Sequence, residues 1–117
     1  MANTVLVVDD SPPVRQQVGM ALEAAGYEVV EARDGADALE CLKSNKVSMV
    51  VCDVNMPKMN GIEFLEKVGR SVPVVMLTTE GQAELKRTAK ALGARGWIIK
   101  PFNADMLVEA VRHIVGA

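Results

Sequence analysis

Short apolar runs alternate with stretches of helical periodicity five times along this chain. The apolar runs are rich in valine and isoleucine and occupy 4–8, 27–31, 47–52, 72–78 and 94–99; the helical stretches occupy 14–25, 35–44, 61–69, 82–92 and 104–115. Strands that alternate with helices pair in parallel, because each helix carries the chain back across the sheet. The sequence therefore predicts an α/β fold, with a parallel sheet covered by helices on both faces and right-handed crossovers.

Turn and capping residues mark the ends of these helices. Gly26 and Gly93 stop two of them, and the pair Asp34-Gly35 opens another. The first helix follows Ser11, but Pro13 disfavours a helical conformation at the residue before it. We therefore begin that helix at residue 14 and leave its first residue open.

Polar residues interrupt the apolar runs only where the predicted strands end. Asp9 and Asp10 follow the first strand, Asp53 follows the third, Thr78 ends the fourth and Lys100 follows the fifth. In a parallel sheet all these ends lie at one edge, where ligands bind at the crevice between strands whose connections diverge. We expect three carboxylates, a hydroxyl and an ammonium to converge there.

Such a cluster needs a cation. Two carboxylates about 4 Å apart repel by roughly 4 kcal/mol at an effective dielectric near 20. Mg²⁺ accepts one or two carboxylates together with water and phosphoryl oxygens, and it would relieve this repulsion. A carboxylate beside Mg²⁺ and a lysine is also suited to accept a phosphoryl group, because both cations neutralise the charge that develops during transfer.

The composition fits one small domain, which we assign to 1–117. Of the 117 residues, 50% are hydrophobic and 24% are charged, and the net charge is −2, which argues against a broad nucleic-acid footprint. The sequence contains neither an apolar run long enough to span a bilayer nor a signal peptide. We expect a cytoplasmic monomer without membrane insertion or an attached output domain, with Cys41 and Cys52 as reduced thiols.

Four segments in this order, VVDDS, CDVNMPKMNG, LTTE and KPF, give the chain its family resemblance. Over its whole length it resembles the receiver domain of two-component response regulators, and most closely the single-domain, CheY-like chemotaxis type. The resemblance implies a flavodoxin-like, doubly wound (βα)5 fold with strand order 2-1-3-4-5. It also implies Mg²⁺ as the cofactor and a CheA-like sensor histidine kinase as the phosphodonor.

The resemblance also assigns roles to the residues at the strand ends. Asp53 would accept the phosphoryl group from a phosphohistidine, while Thr78 and Lys100 would bind that group. The metal ligands would be Asp9, Asp10, Asp53 and the backbone carbonyl of Asn55. The resemblance further implies a cis peptide bond between Lys100 and Pro101.

The switch to a downstream partner would involve Thr78 and Trp97. Trp97 stands where the family more often has Tyr or Phe, and the implied target surface comprises the fourth helix, the fifth strand and the fifth helix. Gln82, Lys86 and Lys90 are spaced four residues apart on the fourth helix. They form either a solvated face or a docking strip for an acidic partner segment. His113 has no second metal ligand near it in sequence, and we expect it to be solvated.

Three other classes of protein share part of this pattern. A small phosphatase of the haloacid-dehalogenase type also combines Asp, Thr or Ser, Lys and Mg²⁺, but its motif after the first strand is D-x-D, whereas this chain has Asp9-Asp10 and no room for a cap domain. A pseudo-receiver that binds partners without phosphorylation usually lacks one of these residues, and here all are present. A flavodoxin-like electron carrier would need a phosphate-binding first loop.

Overall fold

The computed structural model describes residues 3–116 and contains one parallel sheet with strand order β2-β1-β3-β4-β5. This architecture confirms the predicted α/β fold and strand order. Residues 1, 2 and 117 of the predicted domain 1–117 lie outside the described residues. The elements are β1 (Thr4–Val8), α1 (Pro12–Ala24), β2 (Glu28–Ala32), α2 (Gly35–Ser44), β3 (Met49–Cys52), α3 (Gly61–Val68), β4 (Val74–Thr78), α4 (Ala83–Ala91), β5 (Gly96–Ile99) and α5 (Ala104–Val115).

The predicted element boundaries agree with the observed ones to within two residues. The fifth strand begins at Gly96 rather than at residue 94, and the first helix begins at Pro12 rather than at residue 14. Proline is well tolerated in the first turn of a helix, where its missing N–H would have no intrahelical partner. The local restriction that Pro13 imposes on Pro12 therefore does not delay the start of α1.

The central strands separate two apolar cores. β3 and β4 are buried along their whole length, and β1 from Val5 onward. Because side chains alternate along a strand, one set packs against α1 and α5 and the other against α2, α3 and α4. The first core includes Val5, Val7, Val51, Leu77, Leu22 and Leu107, and the second includes Leu6, Val8, Cys52, Met76, Phe64 and Ala89.

Backbone hydrogen bonds continue past the strand ends into the residues of the expected site. The N–H of Asp9 donates to the Ala32 carbonyl at 3.1 Å, and the N–H of Asp53 donates to the Val8 carbonyl at 2.9 Å. The N–H of Lys100 donates to the Thr78 carbonyl at 2.8 Å. The sheet therefore fixes the backbone of these residues in the same way as it fixes its own strands.

Gly61 lies where α3 meets the loop that follows β3. A Cβ added at Gly61 would clash with the Asp53 carbonyl and would lie 2.8 Å from Met76 Cε. The Gly61 N–H donates to the Val54 carbonyl at 2.8 Å. The absence of a side chain at this position thus lets α3 begin directly against the backbone of Asp53.

Gly61→Ala should lower the free energy of unfolding by about 1–3 kcal/mol, the usual cost of overpacking. Gly19→Ala is the matched control inside α1, where the added Cβ would meet Val29 Cγ1 at an ordinary 3.6 Å. That substitution should raise the free energy of unfolding by roughly 0.5–1 kcal/mol, because glycine is unfavourable inside a helix. Urea denaturation followed by circular dichroism measures both, and equal stability of Gly61→Ala and the wild type would contradict the packing argument.

Candidate functional site

The candidate site lies at the carboxyl ends of the neighbouring strands β1 and β3. From β1 the chain continues to β2 on one side, and from β3 it continues to β4 on the other. Connections that diverge in this way leave a crevice at the sheet edge. Asp9 and Asp53, the residues that directly follow these two strands, are therefore neighbours in the crevice.

The backbone and side-chain polar groups of Asp9 all take part in hydrogen bonds. It is 3% exposed. Its carboxylate accepts hydrogen bonds from the Ser11 N–H at 2.9 Å and from Lys100 Nζ at 2.7 Å. Its backbone carbonyl accepts a bond from the Arg15 guanidinium at 2.6 Å. These contacts fix the carboxylate in one orientation at the floor of the site.

Asp53 is also buried, but its carboxylate is less fully paired. Its Oδ1 accepts a bond from the Val54 N–H at 2.8 Å, and its Oδ2 lies 3.5 Å from Lys100 Nζ. Burial, and then the charge of Asp9, raise the pKa of the Asp53 carboxyl above its usual value. The neighbouring ammonium of Lys100, the Val54 N–H and the Thr78 hydroxyl lower the pKa by smaller amounts. The ionised form of Asp53 is therefore stabilised incompletely by the protein.

Asp10 completes a cluster of carboxylates. Unlike the other two, Asp10 is exposed, and carboxylate oxygens of Asp9, Asp10 and Asp53 all lie within 4.8 Å of one another. Hard divalent cations such as Mg²⁺ prefer oxygen ligands of this kind, and the exposed edge at Asp10 gives access from solvent. The donor set present in the chain therefore fits Mg²⁺.

Lys100 and Thr78 approach the cluster from the β4–β5 side. The Lys100 side chain is 14% exposed, and its ammonium contacts both buried carboxylates. Thr78 is fully buried, and its hydroxyl accepts a hydrogen bond from the Glu80 N–H at 3.2 Å. The expected cis peptide bond between Lys100 and Pro101 is present. The structure thus brings together the hydroxyl, the ammonium and the carboxylates that the sequence placed at strand ends.

Glu80 connects the rim of the site to the predicted switch residue. Its carboxylate accepts a bond from the Asn55 side-chain amide at 3.0 Å, and its carbonyl accepts one from the Trp97 indole N–H at 2.8 Å. Trp97 is half-buried against the core beneath α4. Asn55 is exposed, and the role of its backbone carbonyl as a metal ligand remains a prediction.

Sequence reasoning missed the contacts of Arg15 and of Glu80. Arg15 carries no motif of its own, and its side chain joins Asp9 to Glu31, with Nε 3.0 Å from the Glu31 carboxylate. Glu80 stood in the quoted LTTE segment, but its links to Asn55 and Trp97 join segments distant in sequence. Neither set of contacts has a signal in residue spacing, because each depends on how separate elements pack.

The remaining predicted residues lie away from the carboxylate cluster. Lys86, Lys90 and Trp97 line a cavity of about 230 Å³ beside α4, and Gln82 is exposed at the start of that helix. His113 is exposed, as expected.

Cys41 and Cys52 are both free. Burial, and then the nearby carboxylates, raise the pKa of the Cys52 thiol. No helix within residues 3–116 has the length and apolar character needed to cross a membrane.

Comparisons with known proteins identify the family to which the chain belongs. The family model of the response regulator receiver domain matches residues 5–112. Chemotaxis protein CheY of Treponema pallidum is 40% identical over 117 residues, covering 95% of this chain and 81% of that protein. CheY1 of Helicobacter pylori is 37% identical over 119 residues, covering 96% of each chain.

A solved structure gives the same assignment. CheY4 of Vibrio cholerae superimposes with a TM-score of 0.91 at 41% identity, covering 97% of this chain and 99% of that chain. The family resemblance stated from the sequence is therefore confirmed, and the haloacid-dehalogenase alternative does not apply. The chain belongs to the response regulator receiver family and is similar to its CheY-like chemotaxis members.

Proposed function

We propose that this chain is a phosphorylation switch in which Asp53 accepts a phosphoryl group from the phosphohistidine of a CheA-like sensor histidine kinase. CheY-like receivers are phosphorylated by histidine kinases and act on downstream targets. The observation that carries the proposal is the cluster of three carboxylates within 4.8 Å of one another, two of which contact a single ammonium. The same set of groups argues against a pseudo-receiver.

In the proposed transfer the Asp53 carboxylate attacks phosphorus while the bond between phosphorus and the donor's imidazole nitrogen breaks. The bonding electrons stay with the imidazole. The imidazole leaves as a neutral group when one of its two ring nitrogens carries a proton. Lys100 Nζ, already 3.5 Å from Asp53, is placed to pair with an oxygen of the incoming group. Burial of Asp53 and Thr78 keeps bulk water away from most of the site.

Receiver domains generally bind Mg²⁺, and the residues of this chain fit that ion. Asp10, Asp9 and Asp53 would hold it, with the backbone carbonyl of Asn55 as a further ligand. When bound, Mg²⁺ supplies positive charge that offsets the charge on the phosphoryl oxygens. Of the three carboxylates, Asp9 is already paired with Lys100 and Ser11, so Asp10 is the ligand with most freedom to bind the metal directly.

The proposed output runs from Thr78 to the face formed by α4, β5 and α5. The Thr78 hydroxyl now accepts from the Glu80 N–H, and the Glu80 carbonyl accepts from the Trp97 indole. If the hydroxyl turns to donate to a phosphoryl oxygen, its bond to Glu80 changes, and so does the support of the Trp97 indole. Trp97 would then move within the cavity that Lys86 and Lys90 share with it, where an acidic segment of a target protein would bind.

Asp53→Asn should abolish phosphorylation, because the amide keeps the shape of the side chain and removes the nucleophilic carboxylate. Incubation with acetyl phosphate and MgCl₂, followed by intact-protein mass spectrometry, measures incorporation. Asp105→Asn, at an exposed aspartate in the first turn of α5, is the matched control and should incorporate one phosphoryl group like the wild type. Equal incorporation in wild type and Asp53→Asn would refute the assignment of the acceptor.

Asp10→Ala should weaken Mg²⁺ binding more than Asp9→Ala does, because the Asp9 carboxylate is already engaged by Ser11 and Lys100. Isothermal titration with MgCl₂ gives the dissociation constants, and the double variant should bind least of all. Undiminished affinity in the double variant would show that these carboxylates do not hold the metal.

Trp97 should report the switch, because it is the one tryptophan of the chain and its indole is bonded to Glu80. Beryllofluoride, a mimic of the phosphoryl group, should change the emission of the Mg²⁺-bound protein. Thr78→Ala should reduce this change, whereas Thr88→Ala, at an exposed position of α4, should leave it intact. Constant emission and constant indole NMR shifts in the wild type would show that the coupling does not run through Trp97.

A further inference from the structure

The Arg15 side chain joins α1, β2 and the first acidic residue of the site. Its Nη1 donates to the Asp9 carbonyl at 2.6 Å, and its Nε lies 3.0 Å from the Glu31 carboxylate. The Arg15 side chain is only 17% exposed and its contact with the Asp9 carbonyl is partly buried, whereas the Glu31 side chain is 50% exposed. A planar guanidinium can make two such directed contacts at once, whereas an ammonium is a point charge.

The carbonyl that Arg15 binds belongs to the peptide group between Asp9 and Asp10. A peptide group is planar, so a fixed carbonyl also fixes the amide through which Asp10 is attached. The N–H of Asp9 is bonded to Ala32 and its carboxylate to Ser11 and Lys100. Asp9 is thus held at its N–H, its carboxylate and its carbonyl. The Arg15 contact at the carbonyl therefore orients the peptide bond that joins Asp9 to the exposed Asp10.

We infer that Arg15 is a positioning residue for the metal site: through the Asp9–Asp10 peptide group it orients the Asp10 carboxylate toward Mg²⁺, and Glu31 orients Arg15 in turn. This inference rests on the proposed function, in which Asp10 is a metal ligand. Arg15 does not touch the metal in this scheme, and its contribution is to hold the ligand in the geometry that Mg²⁺ demands.

The direction in which Mg²⁺ affinity changes when Arg15 is removed distinguishes this role from a purely electrostatic one. A guanidinium near the acidic cluster repels a divalent cation, so its removal should tighten Mg²⁺ binding if charge alone mattered. Loss of an orienting contact has the opposite effect, since outer residues of metal sites typically contribute 10-fold or more to affinity. A weaker Mg²⁺ complex after removal of a positive charge would therefore have a structural cause and not an electrostatic one.

The test is isothermal titration of Arg15→Ala and Arg15→Lys with MgCl₂. We expect the dissociation constant to rise about tenfold in Arg15→Ala and to rise by a smaller factor in Arg15→Lys, which keeps the charge and loses the two-contact geometry. Arg112→Ala is the matched control, because Arg112 pairs with Glu109 in the last turn of α5, at the opposite edge of the sheet. It should bind Mg²⁺ like the wild type.

A double-variant cycle distinguishes positioning from a general loss of structure. If Arg15 acts through Asp10, Arg15→Ala should have little further effect on Mg²⁺ affinity in the Asp10→Ala background. Unchanged or tighter binding in Arg15→Ala, or full additivity with Asp10→Ala, would overturn the inference. If Arg15→Ala does not fold, Arg15→Lys decides alone, and affinity equal to the wild type would overturn the inference. If Asp10→Ala itself binds Mg²⁺ normally, the proposed metal site fails instead.

Discussion

The Lys100 ammonium makes it possible for two buried carboxylates to lie side by side. It is 2.7 Å from the Asp9 carboxylate and 3.5 Å from that of Asp53, whose mutual repulsion would otherwise cost several kcal/mol. Lys100 follows the edge strand β5, whereas Asp9 follows β1, three positions away in the sheet. The contact therefore crosses the carboxyl edge and depends on a long side chain. It ties the edge strand, which also carries Trp97, to the centre of the site.

The site combines a rigid part and an accessible part. Asp9, Asp53 and Lys100 have their backbone N–H groups bonded to the neighbouring strand, so the sheet determines where their side chains begin. Asp10 and Asn55 are exposed on the loops beyond. In the proposed function a metal ion and a phosphodonor both reach the site from solvent, and the exposed loop residues would meet them first. The buried residues would keep the Asp53 carboxylate in place during the proposed transfer.

Much of this arrangement could be predicted from the sequence, because strand periodicity and the position of each strand end are local signals. The parallel sheet and the convergence of Asp9, Asp53 and Lys100 followed from them. The contacts of Arg15 could not be predicted, because its guanidinium reaches Glu31 only when α1 packs beside β2. The first residue of α1 was left open by the sequence, because the local rule about Pro13 and the ease with which the first turn accepts proline point to different starts.

The incomplete pairing of the Asp53 carboxylate bears on how the proposed phosphorylation would act at a distance. Burial and Asp9 disfavour its negative charge, and a phosphoryl group would replace one charge with about −1.5 to −2. A rotation of the fully buried Thr78 side chain toward such a group would move the oxygen that accepts the Glu80 N–H, and the Glu80 carbonyl accepts the Trp97 indole N–H. Moving the population from 1:99 to 99:1 requires roughly 5.5 kcal/mol of differential stabilisation. One rearranged hydroxyl contributes only about 1 kcal/mol, so the rearrangement of Thr78 alone does not account for such a shift. We propose that a target protein that prefers one position of Trp97 completes the shift through its own binding.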